Sequence, residues 1–370
     1  MNYRAEAVIL TTRIVLMGGF LGAGKTTLIN KVAGKLTAAG KKVAIINNDQ
    51  GVDLVDTQYS RGKGFRTAEV LGGCFCCRFP DLLKSARELV ADEHPDMVLA
   101  EPVGSCTDLQ ATVVAPFRVI FRDEFTVAPL MVLVDSSRLS SDEIDARSIG
   151  GYLRKHQIEE AENIILSKVD MISSARLQEI IDAVKSINPK APVIAYSAVT
   201  GKGLDEIVEL VASDRRSAGA PVDVDYDTYA NAEAELGWYN GQISFSSERL
   251  DTYDLGTKVL RYLAEGYEPQ DIAHAKVMIR SPVSAMKMSL IFSNLTTDGV
   301  TGSRYANGDV EMLVNGRVVS SPEKLRESIQ AAVGRAMREV GVSDYRFVDD
   351  CFSPGRPNPT YRMTGQSLSD

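Results

Sequence analysis

The feature that most constrains the fold is a glycine-rich loop between a buried strand and a helix. Residues 18–27 read GGFLGAGKTT, and from Gly19 onward they fit the pattern G-x-x-x-x-G-K-[ST]. Glycines let backbone N–H groups converge on phosphate oxygens, and the start of the helix adds a favourable dipole. We expect Lys25 to reach the β- and γ-phosphates and the Thr26 hydroxyl to bind Mg²⁺. The other predicted nucleotide contacts of this loop are Gly22, Ala23, Gly24 and Thr27.

Apolar runs recur along the first 215 residues without period-2 alternation, and amphipathic stretches separate them. This pattern predicts an α/β fold, in which a mainly parallel sheet carries helices on both faces. We assign residues 1–215 to this domain, 216–230 to a linker, 231–352 to a small α+β domain and 353–370 to a flexible tail. Within the second domain, Asn315-Gly316 between two apolar runs predicts a two-residue hairpin turn.

Charge and hydropathy argue against several classes of protein. Forty-one basic and forty-nine acidic side chains give a net charge of −8, which disfavours binding to a nucleic-acid backbone. No apolar run approaches the length of about 18 residues that a membrane span needs. Five cysteines, three of them within four positions, do not suit a disulfide framework. We therefore expect the protein in the reducing cytoplasm, with no nucleic-acid or membrane partner.

Two later loops indicate which base the nucleotide carries. Ser167, Lys168 and Asp170 lie in the sequence SKVD directly after an apolar strand, and they resemble the N/T-K-x-D motif that reads guanine in P-loop GTPases. The Asp170 carboxylate would accept hydrogen bonds from N1 and N2 of guanine, which adenine cannot supply together. Ser197 and Ala198 follow the next strand and resemble the S-A loop that backs the guanine. Together the two loops favour GTP over ATP.

The sequence GGCFCC places three thiols, those of Cys74, Cys76 and Cys77, within four positions. Thiolates at this spacing can converge on one Zn²⁺ or a similar cation. The glycines before them and Arg78 after them argue against a plain core strand, whereas a redox pair of Cys74 with Cys76 or Cys77 stays open. Cys106 is either a buried packing thiol or a fourth ligand.

Taken in order, these motifs resemble the CobW-type branch of P-loop GTPases, from Ile14 to about residue 210. The sequence Asn48-Asp49-Gln50-Gly51 is similar to the family's N-E-F-G, with Asp49 in place of Glu. Glu101-Pro102-Val103-Gly104 is similar to its E-x-x-G, which follows a strand and senses the γ-phosphate. Beyond residue 231 the likeness is looser and suggests the family's small C-terminal domain.

The resemblance implies a P-loop NTPase fold and a Mg²⁺-dependent GTPase that acts as a metallochaperone. In that family pattern Asp49 joins Thr26 at Mg²⁺, Lys25, Asp49 and Glu101 serve hydrolysis, and Gly104 contacts the nucleotide. The cargo would be Zn²⁺ or Co²⁺, held by the cysteine loop and passed to a client metalloprotein or metal-cofactor enzyme. Only three histidines occur in the chain, so the histidine-rich metal store of many members is missing.

Three functions stay open at this point. The first is a GTPase that couples nucleotide state to delivery of a metal or metal cofactor. The second is a zinc-homeostasis protein in which the nucleotide is only a structural ligand. The third is a GTPase chaperone that gates or reactivates a corrinoid-dependent enzyme. The negative charge and the second domain permit a homodimer in each case.

Overall fold

A computed structural model describes residues 11–48, 60, 64–139 and 149–365 of the chain. Within these ranges the first sheet has eight strands, and all their pairings are parallel. They are β1 (Thr12–Gly19), β2 (Val43–Asn48), β3 (Arg66–Val70), β4 (Met97–Glu101), β5 (Phe125–Val127), β6 (Met131–Asp135), β7 (Asn163–Ser167) and β8 (Val193–Ala195). Their order across the sheet is β3-β2-β4-β1-β6-β7-β8, with β5 beside β1.

Helices cover both faces of this sheet because its strands are apolar on both sides. Ile14 and Leu16 of β1 belong to one buried cluster, and Val15 and Met17 to another. The helices of the first domain are α1 (Lys25–Ala38), α2 (Phe79–Glu93), α3 (Ala115–Val119), α4 (Ile149–Glu160), α5 (Ser174–Ile187) and α6 (Leu204–Ala212). Helices α2 and α5 pack in the first cluster, whereas α1 and α6 pack in the second. The predicted parallel α/β fold is confirmed.

The second domain is built on a six-stranded antiparallel sheet in the described part of the chain. Helix α7 (Tyr226–Ala234) leads into β9 (Leu236–Asp251), α8 (Thr252–Ala264), β10 (Ile272–Ser281), β11 (Ser284–Ile291), β12 (Asn294–Gly302), β13 (Tyr305–Val319), α9 (Pro322–Glu339) and β14 (Arg346–Phe352). The strand order is β12-β11-β10-β13-β9-β14, and α8 and α9 bury their apolar faces against this sheet. The predicted small α+β domain is confirmed. Among the described residues, no helix is both long and apolar enough to span a membrane.

The predicted hairpin turn at Asn315-Gly316 is wrong. Both residues lie inside the continuous strand β13, where Asn315 pairs with Asn240 and Lys276 on the two neighbouring strands. The Asn315 amide donates a hydrogen bond to Asn240 Oδ1 at 3.0 Å. A Cβ on Gly316 would lie 3.0 Å from Ile329 of α9, so the glycine permits close helix packing. Tertiary pairing overrides the local turn preference at this position.

The two domains contact each other close to the phosphate loop. A Cβ on Gly22 would lie 3.2 Å from Ile291, at the turn between β11 and β12. At the same turn the Arg138 guanidinium stacks 3.4 Å from the centre of the Phe292 ring. Trp238 of β9 is buried in the same apolar cluster as β1 and α2. The second domain therefore lies against the elements that build the predicted site.

Candidate nucleotide and metal sites

The phosphate loop joins β1 to α1 through glycines in left-handed backbone conformations. Gly19, Gly22 and Gly24 have φ angles of 130°, 78° and 95°, which residues with a Cβ rarely adopt. In the described part of the chain no side chain caps the start of α1. The N–H groups of its first turn, which includes Thr27, therefore favour an anion. Ala23 precedes this turn and is buried in the loop.

Three side chains predicted to serve catalysis or Mg²⁺ meet at the start of α1. Lys25 Nζ donates hydrogen bonds to the carbonyl oxygens of Gly19 at 2.9 Å and Phe20 at 3.4 Å. The Thr26 hydroxyl donates to Glu101 Oε1 at 2.9 Å. This contact arises because β4, which ends at Glu101, runs parallel to β1 and next to it. The structure thus brings Lys25, Thr26 and Glu101 together.

The Thr26–Glu101 pair fits a magnesium ion, since hydroxyl and carboxylate oxygens are the donors that Mg²⁺ takes in nucleotide sites. Both side chains are more than nine-tenths buried. Glu101, which the sequence analysis assigns to the γ-phosphate sensor, lies where it can bind or orient this ion. Asp49, the further predicted Mg²⁺ ligand and catalytic residue, lies outside the described residues.

Gly104 lies directly against the phosphate loop. A Cβ at this position would be 2.6 Å from Leu21 Cδ2 and 3.0 Å from the Leu21 backbone nitrogen, so only glycine permits this approach. The Gln157 amide fixes the same segment by donating to the carbonyl oxygens of Gly104 at 3.0 Å and Cys106 at 2.8 Å. The loop after β4 is therefore held between α4 and the phosphate loop.

Helix α7 packs on the other side of this loop. The Ser105 hydroxyl donates to the Glu233 carboxylate, and the Thr107 N–H donates to the Tyr229 hydroxyl at 3.3 Å. Burial raises the pKa of Glu233 to about 8, which the Ser105 hydrogen bond opposes and the Cys74 charge reinforces. The start of the second domain thus contacts the loop that follows Glu101.

The Ser167 side chain bridges the first guanine loop and the phosphate loop. Its hydroxyl donates to the carbonyl oxygen of Ala23 at 2.8 Å and joins the loop after β7 to the phosphate loop. Lys168 has a φ of 59°, and its ammonium group lies 2.6 Å from Asp135 at the end of β6. The Ser167 and Lys168 positions are therefore fixed by contacts with the nucleotide-binding end of the sheet.

The two loops predicted to hold guanine lie side by side. Strands β7 and β8 are parallel neighbours, so Asp170 and the Ser197–Ala198 loop leave the same edge of the sheet. The Ser197 hydroxyl is buried and accepts the N–H groups of Val199 at 3.2 Å and Thr200 at 3.1 Å. Asp170 is exposed and Ala198 is half-buried. Both remain accessible to a base at this edge.

The three clustered cysteines form a compact group of sulfur donors. Their Sγ atoms lie within 4.8 Å of one another, with Cys74 and Cys76 2.8 Å apart and Cys76 and Cys77 3.8 Å apart. Cys74 and Cys76 are buried, whereas Cys77 is half-buried. Gly72 and Gly73 open the loop with φ angles of 71° and 157°. The donor set fits a thiophilic cation such as Zn²⁺.

Thiol contacts within the group favour one ionised sulfur. Hydrogen bonds from Cys106, Cys76 and Cys77 hold the pKa of the Cys74 thiol well below its usual range, against the effect of burial. The hydrogen bond to Cys74, with burial, raises the pKa of Cys77 to about 11. A divalent cation would replace these shared protons, since it binds thiolates and not thiols.

Asn48 holds the cysteine loop in place. Its amide nitrogen donates to the carbonyl oxygens of Val70 at 2.9 Å and Gly73 at 2.8 Å. Its amide oxygen accepts the N–H of Phe75 at 2.7 Å. Asn48 is also the residue before Asp49 in the motif assigned to Mg²⁺. One side chain therefore connects the end of β2 to both sides of the cysteine loop.

The C-terminal segment contacts this loop through residues 358 and 360. The N–H of Asn358 donates to Cys77 Sγ at 3.2 Å, and the N–H of Thr360 donates to the Cys76 carbonyl oxygen at 2.9 Å. Arg362 binds the buried carboxylate of Asp108 at 2.8 Å. The proline-rich composition predicts a flexible tail over residues 353–370, and within its described part these hydrogen bonds and this ion pair connect residues 358–362 to the first domain.

Sequence reasoning missed these supports of the cysteine loop. Asn48 is adjacent in sequence to a predicted Mg²⁺ ligand, which marks it as a residue near the site. The sequence around it does not show that its amide bonds to the cysteine loop more than 20 residues away. The contacts of Thr360 and Arg362 join positions more than 250 residues apart in the chain. A pattern of prolines and polar residues carries no information about such distant partners.

The region that holds most of these residues is similar to known proteins. Residues 13–195 match the model of the CobW/HypB/UreG nucleotide-binding domain family. The curated zinc chaperone CobW of a Sinorhizobium species is 27% identical over 256 residues, which cover 59% of this chain and 71% of that protein. Zinc-regulated GTPase metalloprotein activator 1 of Dictyostelium discoideum is 25% identical over 215 residues, covering 49% of this chain and 45% of that protein.

Among solved structures, zinc-bound YjiA GTPase from Escherichia coli aligns with 87% of this chain and 99% of its own, at 15% identity and a TM-score of 0.36. The chain spans about half the length of the Dictyostelium relative (45%) and about seven-tenths of the Sinorhizobium relative (71%). The region matched by the family model contains the phosphate loop, the cysteine loop and the Ser167–Asp170 loop, and it ends just before Ser197 and Ala198.

Proposed function

The chain belongs, through residues 13–195, to the CobW-type branch of P-loop GTPases, and we propose that it is a GTP-hydrolysing metallochaperone. It binds one thiophilic metal at the cysteine loop and passes it to a client protein in response to nucleotide state. The observation that carries this proposal is the Asn48 clamp. It joins the thiol cluster to the strand end next to the Thr26–Glu101 pair.

Hydrolysis rests on positioning and charge. Lys25, which now binds phosphate-loop carbonyl oxygens, turns to the β- and γ-phosphates and stabilises the charge that develops on them. Thr26 and Glu101 would hold Mg²⁺, which neutralises the phosphate oxygens when bound. The Gly104 backbone, packed on Leu21, then lies close enough to the loop to respond to the γ-phosphate.

The base is guanine in this proposal. Asp170 is exposed at the edge of the sheet, so its carboxylate stays hydrated until a base covers it. An adenine there would leave the covered carboxylate without donors, at a cost of about 1–3 kcal/mol. The Ser167 contact with Ala23 supports this assignment, because it ties the base loop to the phosphate loop.

We propose Zn²⁺ as the cargo, because Cys thiolates are common zinc ligands and three of them cluster here. Both curated relatives above carry zinc in their names. Five free thiols in the described chain agree with the reducing cytoplasm. Delivery to a client metalloprotein, and a homodimeric state, remain predictions. If the cargo is Co²⁺, the same donors would bind it.

The test uses the reduced full-length protein. Affinities for GTP and ATP are measured with Mg²⁺, and the bound metal is identified by mass spectrometry. We expect GTP to bind at least about tenfold more tightly than ATP and one metal ion per chain. Asp170→Asn should shift the preference toward xanthine nucleotides, whose C2 carbonyl accepts from the new amide. Equal affinity for ATP and GTP would contradict the base assignment, and absence of a stoichiometric metal would contradict the cargo.

A further inference from the structure

The C-terminal segment contacts the least buried sulfur of the cysteine loop. Of the three clustered thiols, Cys74 and Cys76 are buried and Cys77 is half-buried. The Asn358 N–H donates to Cys77 Sγ at 3.2 Å, and the Thr360 N–H donates to the Cys76 carbonyl oxygen at 2.9 Å. The sulfur through which another molecule would reach the group therefore lies against this segment.

Two further contacts fix the segment to the first domain. The Tyr361 ring meets the buried Phe79 ring edge-on, with the ring centres 5.2 Å apart, and Phe79 begins α2 directly after the cysteine loop. The Met363 N–H donates to the Ala111 carbonyl oxygen at 3.0 Å. We call residues 358–363 the strap, because each end of this stretch is bound to the first domain.

An arginine of the strap binds a buried carboxylate on only one of its oxygens. Arg362 Nε and the Tyr226 hydroxyl both donate to Asp108 Oδ2 at 2.8 Å. Asp108 Oδ1 is buried and accepts no hydrogen bond from the described residues. A buried oxygen without a donor is unfavourable. A guanidinium that binds both oxygens would therefore replace Arg362 favourably.

The strap is bound in the way that proteins bind extended peptides. Residues 353–364 form neither helix nor strand, and Pro357 and Pro359 restrict the backbone to conformations close to extended. Backbone N–H groups supply two of the contacts, and a basic side chain supplies the third. Main-chain hydrogen bonds combined with a side-chain anchor are typical of peptide recognition.

We propose that the strap occupies the surface on which a client segment docks, and that it must leave before the metal is transferred. The client segment is extended, donates backbone N–H groups to residues 76 and 77, and carries an arginine for Asp108. The inference rests on the proposed function, because it assumes that a metal occupies the cysteine loop. It adds the place where the client binds and the contact that prevents earlier release.

The anchor of the strap lies on the loop that contacts the nucleotide site. Asp108 follows Gly104 on the loop after β4, and Gly104 contacts the phosphate loop at Leu21. The Gln157 amide binds the carbonyl oxygens of Gly104 and Cys106, so this stretch moves as one piece. A shift of the phosphate loop on GTP binding would therefore reach Asp108 and change how firmly it binds the strap.

The experiment removes the two backbone donors of the strap from the full-length protein. Asn358→Pro with Thr360→Pro lacks both N–H groups, whereas Asn358→Ala with Thr360→Ala keeps them and is the matched control. Both residues are exposed. Zinc transfer from the loaded protein to a chelator should be about tenfold faster in the proline variant, as expected for two lost hydrogen bonds. The alanine variant should stay close to the wild-type rate.

Trypsin cleavage after Arg362 measures opening of the strap in the metal-free protein. Its rate follows the population of the open form when opening and closing are fast. Cleavage should be about tenfold faster in the proline variant than in the alanine variant. Free peptides of both sequences, digested in parallel, correct for direct effects of the substitutions on the protease. Equal corrected rates would overturn the inference, because the strap would not depend on these donors.

A synthetic peptide of residues 353–365 tests the docking surface directly. At about 1 mM, the effective concentration of a segment on a short tether, it should outcompete the weakened strap of the proline variant. Zinc transfer should then slow toward the wild-type rate. The same peptide with Arg362→Ala should have no such effect. A native peptide that leaves the transfer rate unchanged would overturn the docking surface.

Failure of this inference differs from failure of the proposed function. Stoichiometric zinc with equal transfer rates in the proline and alanine variants would leave the metallochaperone intact and exclude the strap as a gate. A chain that binds no zinc would overturn both. If circular dichroism shows that the proline variant does not fold, Arg362→Ala takes its place, and a wild-type transfer rate in that variant would overturn the inference.

Discussion

The phosphate loop and the cysteine site are built in different ways. The phosphate loop is one continuous segment whose conformation is set by three glycines with positive φ angles. Residues distant in sequence only pack against it. The cysteine site, at residues 74–77, takes its support from two separate segments, at Asn48 and at residues 358–360. The first holds its geometry through local backbone conformation, whereas the second depends on contacts that a conformational change can break. This difference suits a protein in which nucleotide binding controls metal affinity.

Lys25→Ala should have the largest effect and should act on the phosphate loop alone. Removing the ammonium group takes away charge stabilisation, so GTP turnover should fall by about 100-fold or more. Zinc stoichiometry should stay unchanged, because Lys25 bonds to phosphate-loop carbonyl oxygens. Phosphate release under saturating GTP measures the effect. Lys31→Ala, which removes an exposed lysine of the same helix, is the control. Undiminished turnover would contradict the assignment of the loop.

Asn48→Ala should act on the cysteine site. It removes three hydrogen bonds that position the loop, and loss of such a support weakens metal binding by about 10–100-fold. Competition with a chromophoric chelator measures the zinc Kd. Asn294→Ala, at an exposed asparagine of the second sheet, should leave it unchanged. An unaltered Kd in Asn48→Ala would mean that the clamp does not hold the loop in its binding geometry.

The C-terminal segment offers two arginines for a matched pair of variants. Arg362 binds Asp108, whose side chain is 0% exposed, whereas Arg356 binds the largely exposed Asp227. A hydrogen bond to a charged group contributes about 1.5–3 kcal/mol, so Arg362→Ala should release the segment and speed zinc release to a chelator by about tenfold or more. Arg356→Ala should have little effect, because exposed ion pairs contribute little. Equal release rates in both variants would show that the segment does not retain the metal.

Glu233→Gln tests the contact between the second domain and the loop after β4. The folded-state pKa of about 8 lies above that of an unfolded glutamate, so the contribution to stability is full below about pH 4.3 and is lost as pH rises toward 8. The free energy of unfolding of the wild type should fall, relative to Glu233→Gln, by at most about 1.4 kcal/mol per pH unit in that window. Urea unfolding of the metal-free protein measures it.

The control for this effect is Glu235→Gln, at an exposed position two residues later. Its stability should follow the wild type at every pH. If the Glu233→Gln curve also runs parallel to the wild type, the buried carboxyl group does not titrate as the contact with Ser105 and the burial imply.

The sequence predicts the two regions unequally, for a physical reason. The phosphate loop, the parallel sheet and the Ser167–Asp170 loop follow from glycine conformations and apolar runs, which are local properties. The Asn48 clamp and the contacts of Thr360 and Arg362 depend on which distant segments meet. Asn315-Gly316 shows the same limit, because a strong local turn signal lies inside a long strand. Asp49, which both regions would share, lies outside the described residues.

The central claim is that nucleotide and metal are energetically coupled. Its most direct test is the zinc Kd of the full-length protein, measured with GDP and with a non-hydrolysable GTP analogue in the presence of Mg²⁺. We expect the two constants to differ by about 5- to 150-fold, and by linkage zinc should change the affinity for the GTP analogue by the same factor. Cys76→Ser and Cys77→Ser should remove the difference. Two wild-type constants that agree within error would contradict the switch, even if both ligands bind.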